Sequence, residues 1–182
     1  MAIPALLYLS LALPASAGTD HSTSSVHWIA PGGLPGAAIP GASSTLVRNS
    51  SGASMTLQTS GLGAGTAATV WWVIFNNPEN CVGPCSDDDK ARVGVNASVL
   101  YAAGHVIGGT GEARYASSLK LGDTTGAKFG PGLLHPFGAE IQFHVRTHGL
   151  ALPGLIDQQI HSHDGGCPPN TCQTIQISVH KP

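Results

Sequence analysis

The sequence predicts an all-β fold, an antiparallel β-sandwich of about seven strands with Greek-key or immunoglobulin-like connections. The first supporting observation is composition: of 182 residues only 10% are charged, while 24 are glycine and 13 are proline. Such a balance favours strands and turns over surface helices, which carry many charges. The second is a series of short runs with period-two alternation, separated by Gly, Asn and Pro turn signals, which is typical of sandwiches.

Seven runs carry the predicted strands, and the third of them is apolar on both faces, as in a central strand. They cover residues 45–48, 55–60, 67–76, 93–101, 115–121, 141–146 and 174–180. One short helix is predicted from Pro153 to Gln159, since proline is tolerated in the first turn of a helix.

Trp71 and Trp72 must point to opposite faces of their strand. One is therefore a core residue, and the other either packs under a loop or lies exposed, where it could stack on a sugar or a partner protein.

The chain divides into three predicted parts. An apolar run, Ile3–Leu13, is followed by the small residues Ala15–Ala17, a pattern of secretory signal peptides that predicts a signal over residues 1–17. Residues 18–43 are rich in Gly, Ser, Ala and Pro and predict a flexible lead-in. Residues 44–182 form the single predicted domain. The expected location is secreted, periplasmic or at the cell envelope, and no stretch reaches the ~18 apolar residues of a membrane span.

Four cysteines occur as two close pairs. Three pairings are possible, and export together with the small Gly/Pro loops favours Cys81–Cys85 and Cys167–Cys172. The alternative is a zinc site built from all four cysteines, which these spacings permit.

Histidine is the unusual residue, with nine copies, and free imidazoles are good ligands for copper or zinc. On a strand, His161 and His163 would leave the same face ~6.6 Å apart, close enough to share one ion. His144 and His148 would be ~13 Å apart, so only one of them can join that pair. The metal hypothesis is therefore His161 and His163 with one of these two, and Asp164 as a further group. The alternative is that the histidines are polar-face residues of half-buried strands.

A second hypothesis concerns an acidic loop. Asp87, Asp88 and Asp89 directly follow Cys85, and clustered oxygen ligands of this kind could hold calcium. A solvated acidic loop explains the same residues.

Net charge and motifs exclude several functions. The formal net charge of −2 provides nothing to neutralise a phosphate backbone, so nucleic acid is not an expected partner. The nucleophile, metalloprotease and phosphate-loop motifs are absent, and no catalytic residue set is predicted.

We expect a secreted, non-catalytic module with a binding or structural role towards a protein or glycan, which could form a homo-oligomer. The alternative function is metal sequestration or redox chemistry at a histidine-based copper or zinc site.

Several segments carry a resemblance to known proteins. They are WWVIFNNPENCVGPC (71–85), SVLYAAGHVIGGTGEARYASSL (98–119), LLHPFGAEIQFHVRTHG (133–149) and the Cys167–Cys172 tail. Together they resemble a group of secreted bacterial β-proteins, over most of residues 53–182, and that resemblance implies no activity.

A weaker resemblance is to the secreted CHRD-type domains. It rests on the Gly-Leu-Gly loop at 61–63, the apolar strand and the Gly-Ala-Glu-Ile run at 138–141. This resemblance implies a superoxide-dismutase-like Greek-key sandwich. The histidine motif of those domains is replaced here by Asn76-Asn77-Pro78, so their metal chemistry is not implied.

Overall fold

The computed structural model describes residues 18–182, which form an all-β fold as predicted; the predicted signal peptide, residues 1–17, lies outside them. The strands are β1 (Asp20–Ala30), β2 (Leu34–Asn49), β3 (Gly52–Thr59), β4 (Thr66–Phe75), β5 (Ala97–Val106), β6 (Ala113–Lys120), β7 (Ala127–Phe129), β8 (Glu140–Leu150) and β9 (Gln173–His180). The helix α1 spans Ile156–His161, and short 3-10 turns span Pro31–Gly33, Pro78–Asn80 and Asp87–Ala91. None of the described helices is long and apolar enough to cross a membrane.

The strands differ from the predicted sandwich in number and arrangement. All nine belong to one antiparallel, hydrogen-bonded sheet with the order β6-β3-β2-β1-β9-β8-β4-β5-β7. Six strands separate β5 from β6 in that order. The ring of His105 on β5 nevertheless stacks on Tyr115 of β6, with 4.6 Å between centroids. This contact shows that the sheet curls. The sheet therefore forms a half-barrel around the larger of two core clusters.

Residues 18–43, predicted as a flexible lead-in, differ most from the prediction, because they contain β1 and most of β2. β1 pairs with β2 on one side and with β9 on the other, and its Val26 is fully buried. Gly, Ser and Pro give this segment little strand propensity of its own. Its backbone bonds come from the two flanking strands, so tertiary context outweighs local preference.

Buried apolar residues form two clusters, one on each face of β4. Trp72 belongs to the cluster inside the curled sheet and packs edge-on against Phe143, with 5.1 Å between ring centroids. Trp71 belongs to the outer cluster with Val73 and Phe75, and it is only 4% exposed. The opposite-face prediction is therefore confirmed, and Trp71 packs under a loop.

Two long connections cover the outer cluster, and each contains a disulfide. Cys81–Cys85 lies in the β4–β5 connection and Cys167–Cys172 in the β8–β9 connection, with Cα separations of 5.2 and 5.8 Å. Both predicted pairings are confirmed, so the four-cysteine zinc site does not form.

The β8–β9 connection packs on the sheet through α1. Tyr101 Oη donates a hydrogen bond to the Ile160 carbonyl oxygen (2.8 Å). Gly104 lies beside this contact, and a Cβ there would be 2.2 Å from the same oxygen.

Two elements begin later than predicted. The helix begins at Ile156 instead of the predicted Pro153. β5 begins at Ala97 instead of the predicted Val93, which lies 97% exposed in the preceding turn.

Candidate functional site

A cleft of about 100 Å³ opens on the outer face of β4, β5 and β8. Its lining side chains come from seven parts of the chain: Trp71, Val73, Lys90, Val99, Lys128, Phe129, His144, His163 and Thr174. A shallower depression of about 480 Å³ adjoins it and shares Trp71, Lys128 and His163. We call the cleft and the depression together the groove.

Another depression, of about 450 Å³, lies on the outer face of β2, β3 and β6, and its side chains are Ser, Thr, Ala, Val and Met. That depression contains no titratable side chain. Because titratable and aromatic groups converge in the cleft, the groove is the stronger candidate site.

His144 on β8 forms one wall of the cleft, and a hydrogen bond with Gln142 fixes the orientation of its ring. Gln142 Nε2 donates to the Cys85 carbonyl oxygen (3.1 Å) and to Glu140 Oε1 (2.7 Å). This fixes Gln142 Oε1 towards His144 Nε2, 2.9 Å away, so Nε2 carries the proton and donates. Burial, reinforced by the charge of Lys90, lowers the pKa of His144 to about 3. The ring is therefore neutral, and Nδ1 is left to accept a hydrogen bond from a ligand.

Lys90 reaches the cleft because the acidic turn before it is tightly bonded. Asp89 Oδ2 accepts from the amide and hydroxyl of Ser86 (both 3.0 Å), and Asp89 Oδ1 accepts from the Val82 amide (3.1 Å) and Arg92 Nε (2.9 Å). Burial acts to raise the pKa of Asp89, but these bonds outweigh it and the pKa is lowered. Asp89 thus stays ionised and holds the 3-10 turn that presents Lys90.

The opposite wall is the short strand β7, which carries Lys128 and Phe129. Phe129 pairs with Val99 of β5, and its ring is 39% exposed. Lys128 Nζ lies 3.2 Å from Asp164 Oδ2 and 2.7 Å from His163 Nδ1. The edge of the sheet therefore supplies one cation and one exposed aromatic ring.

His163 closes the cleft from the β8–β9 connection. Arg146 on β8 holds this segment, with Nε donating to the His163 carbonyl oxygen (2.8 Å) and an Nη atom donating to Asp164 Oδ1 (3.1 Å). The His163 ring packs edge-on against Trp71, with 5.0 Å between centroids. Burial lowers the pKa of His163, and contacts with His163 and Lys128 lower the pKa of Asp164 to about 2.

The two other predicted histidine ligands lie outside the cleft. His161 ends α1 at an exposed position, and its Nδ1 lies 3.0 Å from both the Asp157 carbonyl oxygen and Asp157 Oδ1. His148 is buried: its Nε2 is 2.9 Å from Thr69 Oγ1 and its Nδ1 is 3.0 Å from the Gly165 carbonyl oxygen. Because α1 continues to His161, residues 161 and 163 do not project from one strand face.

The structure therefore brings together two members of the predicted metal set, His144 and His163, at the cleft. Within residues 18–182, the group of three or more ligand-type side chains whose atoms lie within 4.8 Å of one another is His148, Cys167 and Cys172. The predicted combination of His161 and His163 with His144 or His148 and Asp164 does not form such a group.

The predicted calcium ligands point apart. Asp89 uses both carboxylate oxygens within its own turn. Asp87 forms an ion pair with Lys90, and its carboxyl group lies against Gly33, where a Cβ would be 2.5 Å from the carboxyl carbon. Asp88 is exposed. The turn is thus a structural cap, and the three carboxylates do not form a common cage.

Comparison of this chain with known protein families, with curated proteins and with solved structures finds no match. Sequence reasoning missed Lys90, Lys128, Phe129 and Thr174 as parts of the site. No local signal marks them, because they lie on three separate elements, the turn Asp87–Ala91, β7 and β9, and only the curled sheet places these together.

Proposed function

We propose that this protein is a secreted, non-catalytic glycan-binding module and that the groove is its binding site. One observation carries the proposal: hydrogen-bond donors, a hydrogen-bond acceptor and an exposed aromatic ring face one small cleft. Lys90 and Lys128 are the donors, His144 Nδ1 is the acceptor, and Phe129 is the ring. A sugar needs this mixture, because its hydroxyls both donate and accept and its C–H face packs on aromatic rings.

The charges around the groove favour a neutral glycan. Lys90 is paired with Asp87, and Lys128 is paired with Asp164. Each ammonium has three donors, so both lysines keep hydrogen atoms for ligand hydroxyls while their charge is largely balanced. A neutral His144 with an acceptor lone pair would repel a carboxylate or sulfate and accept a hydroxyl. We expect neutral polysaccharides to bind more tightly than highly sulfated ones.

The absence of a catalytic role is supported by the chemistry of the lining. Among the described side chains that line the groove, Asp164 is the one carboxylate, whereas glycoside hydrolysis needs a pair of them. Two disulfides are compatible with an oxidising, extracellular compartment.

Binding to a panel of neutral and sulfated polysaccharides, measured by affinity electrophoresis and by calorimetry on oligosaccharides, tests the proposal. Phe129→Ala and Lys128→Ala should each weaken binding by roughly tenfold, about 1.4 kcal/mol. Thr56→Ala, on the outer face of β3 and away from the groove, is the matched control and should bind as the unchanged protein does. Binding to no member of the panel would overturn the proposal, as would equal losses in Phe129→Ala and Thr56→Ala.

A further inference from the structure

A cluster of metal-ligand side chains lies outside the cleft, where the end of β8 meets the second disulfide. It consists of His148, Cys167 and Cys172, whose ligand-type atoms all lie within 4.8 Å of one another. Cys172 Sγ is 3.2 Å from His148 Nδ1. Thiolate and imidazole are the ligands of most protein zinc sites. In the disulfide state the sulfurs are bonded to each other, so the cluster becomes a ligand set only when that bond is broken.

A fourth ligand atom faces the same point. The Gly165 carbonyl oxygen lies 3.0 Å from His148 Nδ1, 3.7 Å from Cys167 Sγ and 3.8 Å from Cys172 Sγ. In a tetrahedral zinc site with metal–sulfur bonds of about 2.3 Å and metal–nitrogen bonds of about 2.0–2.1 Å, neighbouring ligand atoms are roughly 3.4–3.8 Å apart. Most separations in the cluster are already close to these values. The two sulfurs have to move apart, and His148 Nδ1 has to move slightly away from the Gly165 carbonyl oxygen and from Cys172 Sγ.

The cluster would keep its shape without the disulfide. Asn170, inside the disulfide loop, donates from Nδ2 to the carbonyl oxygens of His148 and Leu150, both at 2.7 Å. Its amide donates to the Gly166 carbonyl oxygen (3.0 Å), and the Cys167 amide donates to that of Asp164 (3.1 Å). These bonds hold both cysteines beside β8 after reduction, so the cost of ordering the site is already met by the fold.

His148 is supported from its other side as a metal ligand. Its Nε2 lies 2.9 Å from Thr69 Oγ1, which also accepts a hydrogen bond from Trp71 Nε1 (2.8 Å). A hydroxyl oxygen has two lone pairs, so Thr69 can also accept from His148 Nε2 when the ring proton resides there. That tautomer frees the Nδ1 lone pair for a metal, which is how many zinc-binding histidines are oriented.

We propose that the reduced form of this protein binds one zinc ion through His148, Cys167 and Cys172, with the Gly165 carbonyl oxygen or water as fourth ligand. Two equivalents of a small thiol reduce the S–S bond, giving two cysteine thiols and one small-molecule disulfide. Zinc then displaces both thiol protons and leaves a site with no net charge. In the reverse direction a small-molecule disulfide accepts the electron pair, the Cys167–Cys172 bond re-forms, and zinc is released.

Zinc titration of the reduced and oxidised full-length protein against a chromogenic chelator tests this, with cobalt as a spectroscopic probe of tetrahedral thiolate coordination. The reduced protein should bind one zinc per chain more tightly than about 1 μM, at least 100-fold more tightly than the oxidised protein. His148→Gln should weaken binding at least tenfold.

Two paired variants separate this site from the other cysteines. Cys81→Ser with Cys85→Ser keeps the cluster and should bind zinc normally when reduced. Cys167→Ser with Cys172→Ser keeps the other pair and should lose the zinc site and the cobalt thiolate absorption. Circular dichroism establishes that each is folded. Equal zinc affinity of the two paired variants, or no binding by the reduced unchanged protein, would overturn the proposal.

Discussion

Acidification is expected to destabilise the fold well above the pH at which its carboxylates titrate. Burial, with the charge of Arg48, lowers the pKa of His180 to about 4, and the pKa of His144 is lowered to about 3. His180 is 2% exposed and both its ring nitrogens lie 2.8 Å from serine hydroxyls, those of Ser22 and Ser44. Both rings are therefore neutral in the folded protein at pH 5.

The size of the effect follows from proton linkage. An unfolded histidine has a pKa of about 6.5, so at pH 5 the unfolded chain binds a proton at each site that the folded chain does not. Each histidine then costs about 2 kcal/mol of stability relative to pH 8, and the two cost about 4 kcal/mol of a typical 5–15 kcal/mol. The loss begins near pH 6.5 and stops growing below the folded pKa values. Glu140 acts in the opposite direction, because burial raises its pKa.

Urea unfolding followed by tryptophan fluorescence at pH 8 and pH 5 measures this loss. The unchanged protein should lose at least about 4 kcal/mol, because burial also lowers the pKa values of His105, His148 and His163. His144→Gln and His180→Gln should each lose about 2 kcal/mol less than the unchanged protein, whatever their stability at pH 8. His135→Gln, at an exposed position, is the control and should lose as much as the unchanged protein. The reasoning is refuted if the unchanged protein loses less than about 1 kcal/mol, or if both buried variants keep its full pH dependence.

Two further predictions concern packing. Gly104→Ala should lower the free energy of unfolding by about 2 kcal/mol, because the new Cβ meets the Ile160 carbonyl oxygen and α1 must shift. Gly108→Ala is the control, since Gly108 has open space around it. Equal unfolding midpoints for the two variants would contradict the explanation. Tyr115→Phe should raise the free energy of unfolding by about 1 kcal/mol, since the buried Tyr115 hydroxyl has no hydrogen-bond partner among the described residues. A loss of stability in that variant, measured by the same urea unfolding, would show that the hydroxyl is satisfied.

Features that depend on neighbouring residues could be predicted from the sequence. The seven predicted runs each overlap one of seven of the nine strands, because alternation of buried and exposed side chains is a local property of an extended chain. The division of Trp71 and Trp72 between two faces follows from the same geometry. The disulfides Cys81–Cys85 and Cys167–Cys172 were predictable because each joins residues only a few positions apart.

The arrangement of the sheet was not predictable in this way. β1 has few apolar residues, and its backbone pairs with β2 on one side and β9 on the other. Since β1 joins the first strands to the last, its presence converts two expected layers into one curled sheet. The hydrogen-bond partners that decide this are more than a hundred residues away along the chain, as in the pairing of His27 with Ile177.

The candidate site shows the same limit. The sequence identified histidine as the unusual residue type, but it could not tell that His144 and His163 share a cleft while His148 lies beside a disulfide. Those positions depend on how Arg146 holds the β8–β9 connection and on where β7 meets β5. Local pattern thus determined which residues form strands and which cysteines pair, whereas packing between distant segments decided which side chains meet, because only tertiary contacts set the distances between them.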